Sequence, residues 1–172
     1  MIEFANIFAS CNLPIFDEVI LLLNATNLSG VVRDSFEPFN NLRFLDLSKN
    51  RFTGTLPGSL FDIDSIEIIY ISENALTGSI PSNYGNAINL HDLYINNNFL
   101  AGTVPPVTPG QLPNLTEFLL SGNALTGTMP ASICALTGSD PESDLVTLVA
   151  DCGGTTPLIQ CDCCNGCITI PV

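Results

Sequence analysis

Four stretches of the chain superimpose letter on letter. Leu42–Pro57 (LRFLDLSKNRFTGTLP), Ile66–Pro81, Leu90–Pro105 and Leu115–Pro130 share one template, LxxLxLxxNxLxGx followed by an apolar residue and proline. Their asparagines, Asn50, Asn74, Asn98 and Asn123, fall 24, 24 and 25 residues apart. A repeat of that period makes each unit one coil that cannot bury its apolar edge alone. Stacking such coils yields a solenoid with one continuous core. A degenerate copy precedes them, Val19 to Val32, with Thr26 in the asparagine slot and Arg33 in the proline slot.

Each template position has a physical task. Apolar residues that alternate mark a strand with one buried face. Leu45/Leu47, Ile69/Ile71, Leu93/Ile95 and Phe118/Leu120 are therefore expected to point inward. A short amide at the asparagine position suits the unpaired backbone of the turn and of the next coil. Gly54, Gly78, Gly102 and Gly127 permit a tight bend, while Pro57, Pro81, Pro105 and Pro130 stop the following strand.

The LxGx-apolar-P half of the template resembles the plant-type, extracellular leucine-rich repeats, over residues 18–134. That resemblance implies an α/β leucine-rich-repeat right-handed solenoid, mostly parallel β on its concave face. It also implies a second short strand at LxGx and an irregular or 3-10 convex side. Residues 1–17 then form an N-terminal cap, with Phe4, Ile7, Phe8 and Ile15 over the first coil and Pro14 ending any helix. Relatives of this type carry a cysteine pair in that cap, whereas only Cys11 stands here, its partner upstream, absent or in another chain. Residues 135–172 supply a half-coil, Leu145 to Ala150, and a cysteine-rich C-terminal cap similar to those of secreted algal, diatom-like leucine-rich-repeat proteins.

Four Lys+Arg against seventeen Asp+Glu give a net charge of −13. Nucleic acid and anionic membrane need basic patches, so neither is an expected partner. The longest apolar run, Val19 to Leu23, is too short to span a bilayer. Met1-Ile-Glu-Phe4 lacks the pattern of a signal peptide, so a leader is expected to be already removed or to lie upstream. Cys134, Cys152, Cys161, Cys163, Cys164 and Cys167 fit either a disulfide cap or a thiolate metal cluster. Only Cys164/Cys167 have zinc-like C-x2-C spacing, and the disulfide reading fits an oxidising compartment. Six cysteines allow fifteen pairings, and spacing does not choose among them. Sequons at Asn24, Asn27 and Asn114 agree with secretion.

No nucleophile–base pair, phosphate loop or metal motif stands out, and His91 is the only histidine. The expectation is a non-enzyme with no metal or cofactor. Function is expected on the outward face of the sheet, where Ile20, Leu22, Phe44, Asp46, Ile68, Tyr70, His91, Tyr94 and Leu119 form a partly apolar strip. Apolar surface with tyrosines favours recognition of a protein, a peptide or an extracellular glycan. Burial of the strip in a larger assembly and inhibition of a hydrolase are the alternatives. A second face carries Thr53/Thr55, Thr77/Ser79, Ala101/Thr103 and Thr126/Thr128 as two expected hydroxyl rows. That ladder resembles the ice-binding faces of some β-solenoid antifreeze proteins.

Overall fold

The computed structural model describes residues 19–36, 39–137, 145–155 and 157–169. The expected N-terminal cap, with Cys11, lies outside them. In chain order the strands are β1 (Val19–Leu22), β2 (Ser29–Val31), β3 (Leu42–Asp46), β4 (Arg51–Thr53), β5 (Ile68–Tyr70), β6 (Asp92–Tyr94), β7 (Ala101–Gly102), β8 (Glu117–Leu119), β9 (Ala124–Leu125), β10 (Gly127–Thr128), β11 (Thr147–Ala150), β12 (Ile159–Gln160) and β13 (Gly166–Cys167). One parallel sheet of seven strands runs β1-β3-β5-β6-β8-β11-β13. A second row of short pairs, β2–β4, β7–β9 and β10–β12, follows each coil's glycine segment.

The alternation of the template sets the core. Leu45, Leu47, Ile69, Ile71, Leu93, Ile95, Phe118 and Leu120 are all fully buried. Among the described residues the convex side carries short helical turns, Gly58–Asp62, Ser82–Asn86 and Ala131–Cys134, each beginning directly after Pro57, Pro81 or Pro130, the last continued by Ala135–Thr137. The prolines thus start turns as well as end strands, because the ring fixes φ near the helical value and the missing N–H is not needed there. Tyr84, on one of those turns, is fully buried and its hydroxyl donates to the Pro105 carbonyl at 2.8 Å. Burial pushes its phenol pKa up.

The asparagines form a ladder, and it reaches backward. Asn98 Nδ2 donates to Ile71 O of the preceding coil (3.1 Å) and to Ile95 O of its own (3.2 Å), while its Oδ1 accepts the Leu76 amide at 3.0 Å. Asn50, Asn74 and Asn123 repeat this set. The neighbour served is the preceding coil, not the next one as the template suggested. Thr26, at the start of the row, donates its hydroxyl to Leu23 O at 2.7 Å and lies 3.1 Å from Asn50 Oδ1. Before each of these positions the backbone turns left-handed, at Ala25, Lys49, Glu73, Asn97 and Gly122 (φ 53, 56, 56, 55 and 70°).

One glycine shows a second reason for its place. Gly78 has φ +80°, and a Cβ there would come within 2.9 Å of the Thr55 methyl of the preceding coil. The bend and the close approach both demand glycine.

The C-terminal region makes more than a half-coil. β11 joins the main sheet with Val149 beside Leu119, and β12 pairs with β10, so residues 145–160 complete a further coil. Asp151, 2 % exposed, accepts the Gly122 and Asn123 amides (2.9 and 3.2 Å), ending the side-chain ladder with a carboxylate. Three disulfides close this end: Cys134–Cys163, Cys152–Cys167 and Cys161–Cys164. All six sulfurs of the expected cluster are therefore paired, and the thiolate-metal alternative falls.

Candidate ligand-binding face

Register places the outward residues in rows across the main sheet. Leu22, Asp46, Tyr70, Tyr94, Leu119 and Val149 are successive partners in one row. Ile20, Phe44, Ile68, Asp92, Glu117 and Thr147 form the row beside it. The face is graded. Ile20 and Leu22 are 57 % and 55 % exposed at one end, and the coils towards the other end carry Asp92 and Glu117.

The aromatic residues meet in the middle. Tyr70 and Tyr94 stack with ring centroids 4.3 Å apart and planes 20° from parallel. Phe44 meets Tyr70 edge-on at 5.4 Å. Strands about 4.8 Å apart bring same-row rings into contact without further bending. Each phenol then reaches one coil onward: Tyr70 Oη donates to Asp92 Oδ2 at 3.0 Å, and Tyr94 Oη donates to Glu117 Oε2. Thr116 Oγ1 donates to the other Asp92 oxygen at 3.1 Å. Burial first, and the bond to Asp92 second, push the Tyr70 phenol up to about 12. Burial and the bond to Glu117 push Tyr94 up as well. Both hydroxyls stay protonated through the physiological range.

Two expected strip residues sit differently. Asp46 is only 8 % exposed, because its Oδ1 accepts both the amide and the hydroxyl of Ser48 (2.9 and 2.6 Å). It supports the turn and is removed from the contact surface. His91 is exposed but precedes the strand instead of lying in it. The Glu67 carbonyl accepts both His91 N (2.7 Å) and Asp92 N (3.3 Å) at the start of the strand, and His91 stands there at the rim, outside the two outward rows. Arg43 and Glu67 lie on the same rim, joined by a forked ion pair (Nε–Oε1 2.9 Å, Nη2–Oε2 2.8 Å).

Sequence reasoning did not link Asp92 and Glu117 to the tyrosines. The signal was available: Tyr70 and Tyr94 each stand in the row adjoining a carboxylate one coil on. It also missed the row at Ser48, Ser72 and Asn96, where the buried Asn96 Oδ1 has no hydrogen-bond partner.

The hydroxyl ladder is exposed but is not a pair of straight rows. Thr55 lies beside Thr77, and Val31 lies beside Thr53, so in this second row of strands these pairs are two residues off the alignment of the repeats by sequence. That is about 6.6 Å along the strands, enough to turn two rows into a diagonal band. Thr53, Thr77 and Thr126 also donate their hydroxyls to Gly30, Gly54 and Gly102 carbonyls, the longest at 3.5 Å. Among the sequons, Asn24 and Asn27 are exposed, whereas Asn114 Nδ2 donates to Ile88 O at 2.9 Å.

Leucine rich repeat family patterns match residues 19–76 and 114–136. Among solved structures, a chain of the BIR3–SERK2 complex from Arabidopsis thaliana is similar at 27% identity and a TM-score of 0.65, over 89% of this chain and 79% of that one. The complex of the Arabidopsis receptor kinase HAESA with the peptide hormone IDA and the co-receptor SERK1 contains a chain similar at 30% identity and a TM-score of 0.64. That match covers 76% of this chain and 20% of the other. A plant ice-binding protein is similar at 26% identity and a TM-score of 0.63, over 67% of this chain and 37% of its own. No curated protein matches the sequence. No helix among the described residues is long and apolar enough to cross a membrane. With repeats, sheet register and structural likeness in agreement, the chain is a leucine-rich-repeat solenoid.

Proposed function

We propose that this solenoid is a secreted, non-enzymatic recognition module that binds a protein or peptide across its concave sheet. The observation that carries the reading is the half-buried Phe44–Tyr70–Tyr94 stack, continued by the exposed Ile20 and Leu22. Tyrosine combines large apolar area, a polar tip and few rotors, which is why it concentrates at binding hot spots. The structurally similar HAESA complex holds a peptide hormone, in keeping with a peptide or protein ligand here. Three disulfides support secretion, since such bridges persist in oxidising compartments. The test is affinity capture from the source extract, read by mass spectrometry. A partner retained by the parent chain and lost by Tyr70→Ala/Tyr94→Ala supports the reading; one retained equally by both contradicts it.

A second reading has its own observation, the exposed threonine band together with the likeness to a plant ice-binding protein. Its test is ice recrystallisation, where activity lost on Thr55→Ala/Thr103→Ala would support an ice face. The two-residue offset within that band counts against it.

A further inference from the structure

Resting on the concave-face reading, the chemistry of the aromatic stack narrows what can occupy it. Tyr70 and Tyr94 have each spent their one hydroxyl hydrogen on a carboxylate. What remains along this line is acceptors alone: two phenol oxygens and the Asp92 and Glu117 carboxylates. Among the described residues neither carboxylate has a cationic partner, since Arg43 is held by Glu67 and Lys49 pairs with Glu73 at 3.8 Å. An occupant must therefore bring hydrogens and positive charge, and the net charge of −13 draws such an occupant in.

The other end of the face fixes the rest of the occupant. Leu22 and Tyr94 stand in the same row three strands apart, which is about 14 Å. An extended peptide covers that distance in about four residues. We propose that the concave face takes an extended peptide segment in which a bulky apolar residue, seated on Ile20, Leu22 and Phe44, lies about four positions from an arginine or lysine. The basic side chain sits between Asp92 and Glu117, with its stem along the edges of the tyrosine rings. An arginine guanidinium fits best, because its forked donors can serve two carboxylates at once.

The experiment is fluorescence polarisation at low salt with labelled heptapeptides of the form Gly-Leu-Ala-Ala-Ala-Arg-Gly. Companion peptides replace the arginine by citrulline, which keeps its shape without charge, or by glutamate. The arginine peptide should bind at least about tenfold more tightly than either, with Asp92→Asn/Glu117→Gln removing that preference. The pair Asp64→Asn/Asp162→Asn removes two exposed carboxylates elsewhere and should change nothing, melting temperatures being checked throughout. Equal binding of the citrulline peptide, equal weakening by both neutralised pairs, or no binding of the arginine peptide overturns the inference. A natural partner that depends on Tyr70 and Tyr94 but presents no basic side chain would sink this inference and leave the concave-face reading standing. Arginine-peptide binding indifferent to Tyr70→Ala/Tyr94→Ala would sink both.

Discussion

Asn98→Ala isolates what the asparagine ladder contributes. The Ile71 and Ile95 carbonyls that Asn98 serves each keep a second donor, Asn74 Nδ2 (3.1 Å) and Asn123 Nδ2 (3.0 Å). The Leu76 amide has no such substitute, since its bond goes to Asn98 Oδ1 at 3.0 Å. The loss is thus one buried N–H left unpaired plus two carbonyls served once instead of twice, about 1–3 kcal/mol. For a chain of this length that corresponds to roughly 2–4 °C in melting temperature per kcal/mol. Asn98→Asp should be worse at neutral pH. A carboxylate can accept the Leu76 amide but cannot donate, and it sets a negative charge against two carbonyl oxygens. Differential scanning calorimetry of parent, Asn98→Ala and Asn98→Asp decides the matter. A melting temperature for Asn98→Ala equal to that of the parent, or Asn98→Asp more stable than Asn98→Ala at neutral pH, would refute the reasoning.

Other consequences are more briefly stated. Removing the Cys134–Cys163 bridge, which closes 29 residues, should cost about 3.6 kcal/mol on the chain-entropy account, read by denaturant unfolding of the double serine variant. Gly78→Ala should destabilise by about 1–2 kcal/mol for the left-handed backbone alone, and adding Thr55→Ser should recover only the part due to the methyl clash. The Tyr70 phenol, held near 12 in the fold, favours the protonated state relative to an unfolded phenol near 10. Its contribution is complete below about pH 10 and fades as pH rises through 12, so stability should fall across that window, more steeply than in Tyr70→Phe. If the chain is expressed through a eukaryotic secretory route, mass spectrometry should find glycan on Asn24 in preference to Asn114, whose amide nitrogen is engaged with Ile88.

The solenoid was legible because the template is periodic and every coil solves the same packing problem. The inward residues and the row containing Tyr70 and Tyr94 follow from a strand period of two and a coil period of 24. What was not legible depends on small offsets. Asp46 occupies an outward slot, yet Ser48 two residues on folds it back into the turn. Where β6 begins, at Asp92 and one residue after His91, leaves no trace in residue type. The threonine band looks straight when repeats are aligned by sequence, while its strand pairs lie two residues off that alignment. The left-handed slot before each asparagine is occupied by Ala25, Lys49, Glu73 and Asn97, and only Gly122 advertises it. The disulfide pairing required three dimensions, since fifteen pairings satisfy the same spacing.

Binding of partners by the tyrosine stack on the concave sheet, as proposed, can be measured directly. The most direct measurement is the affinity of the captured partner for the parent chain, for Tyr70→Ala/Tyr94→Ala and for the matched control Thr55→Ala/Thr103→Ala on the other face, by titration calorimetry. The tyrosine pair should lose about 2 kcal/mol or more, roughly thirtyfold, with the fold intact by circular dichroism, and the threonine pair should bind like the parent. Normal binding by the tyrosine variant, or a loss confined to the threonine variant, would place the ligand elsewhere and contradict the account.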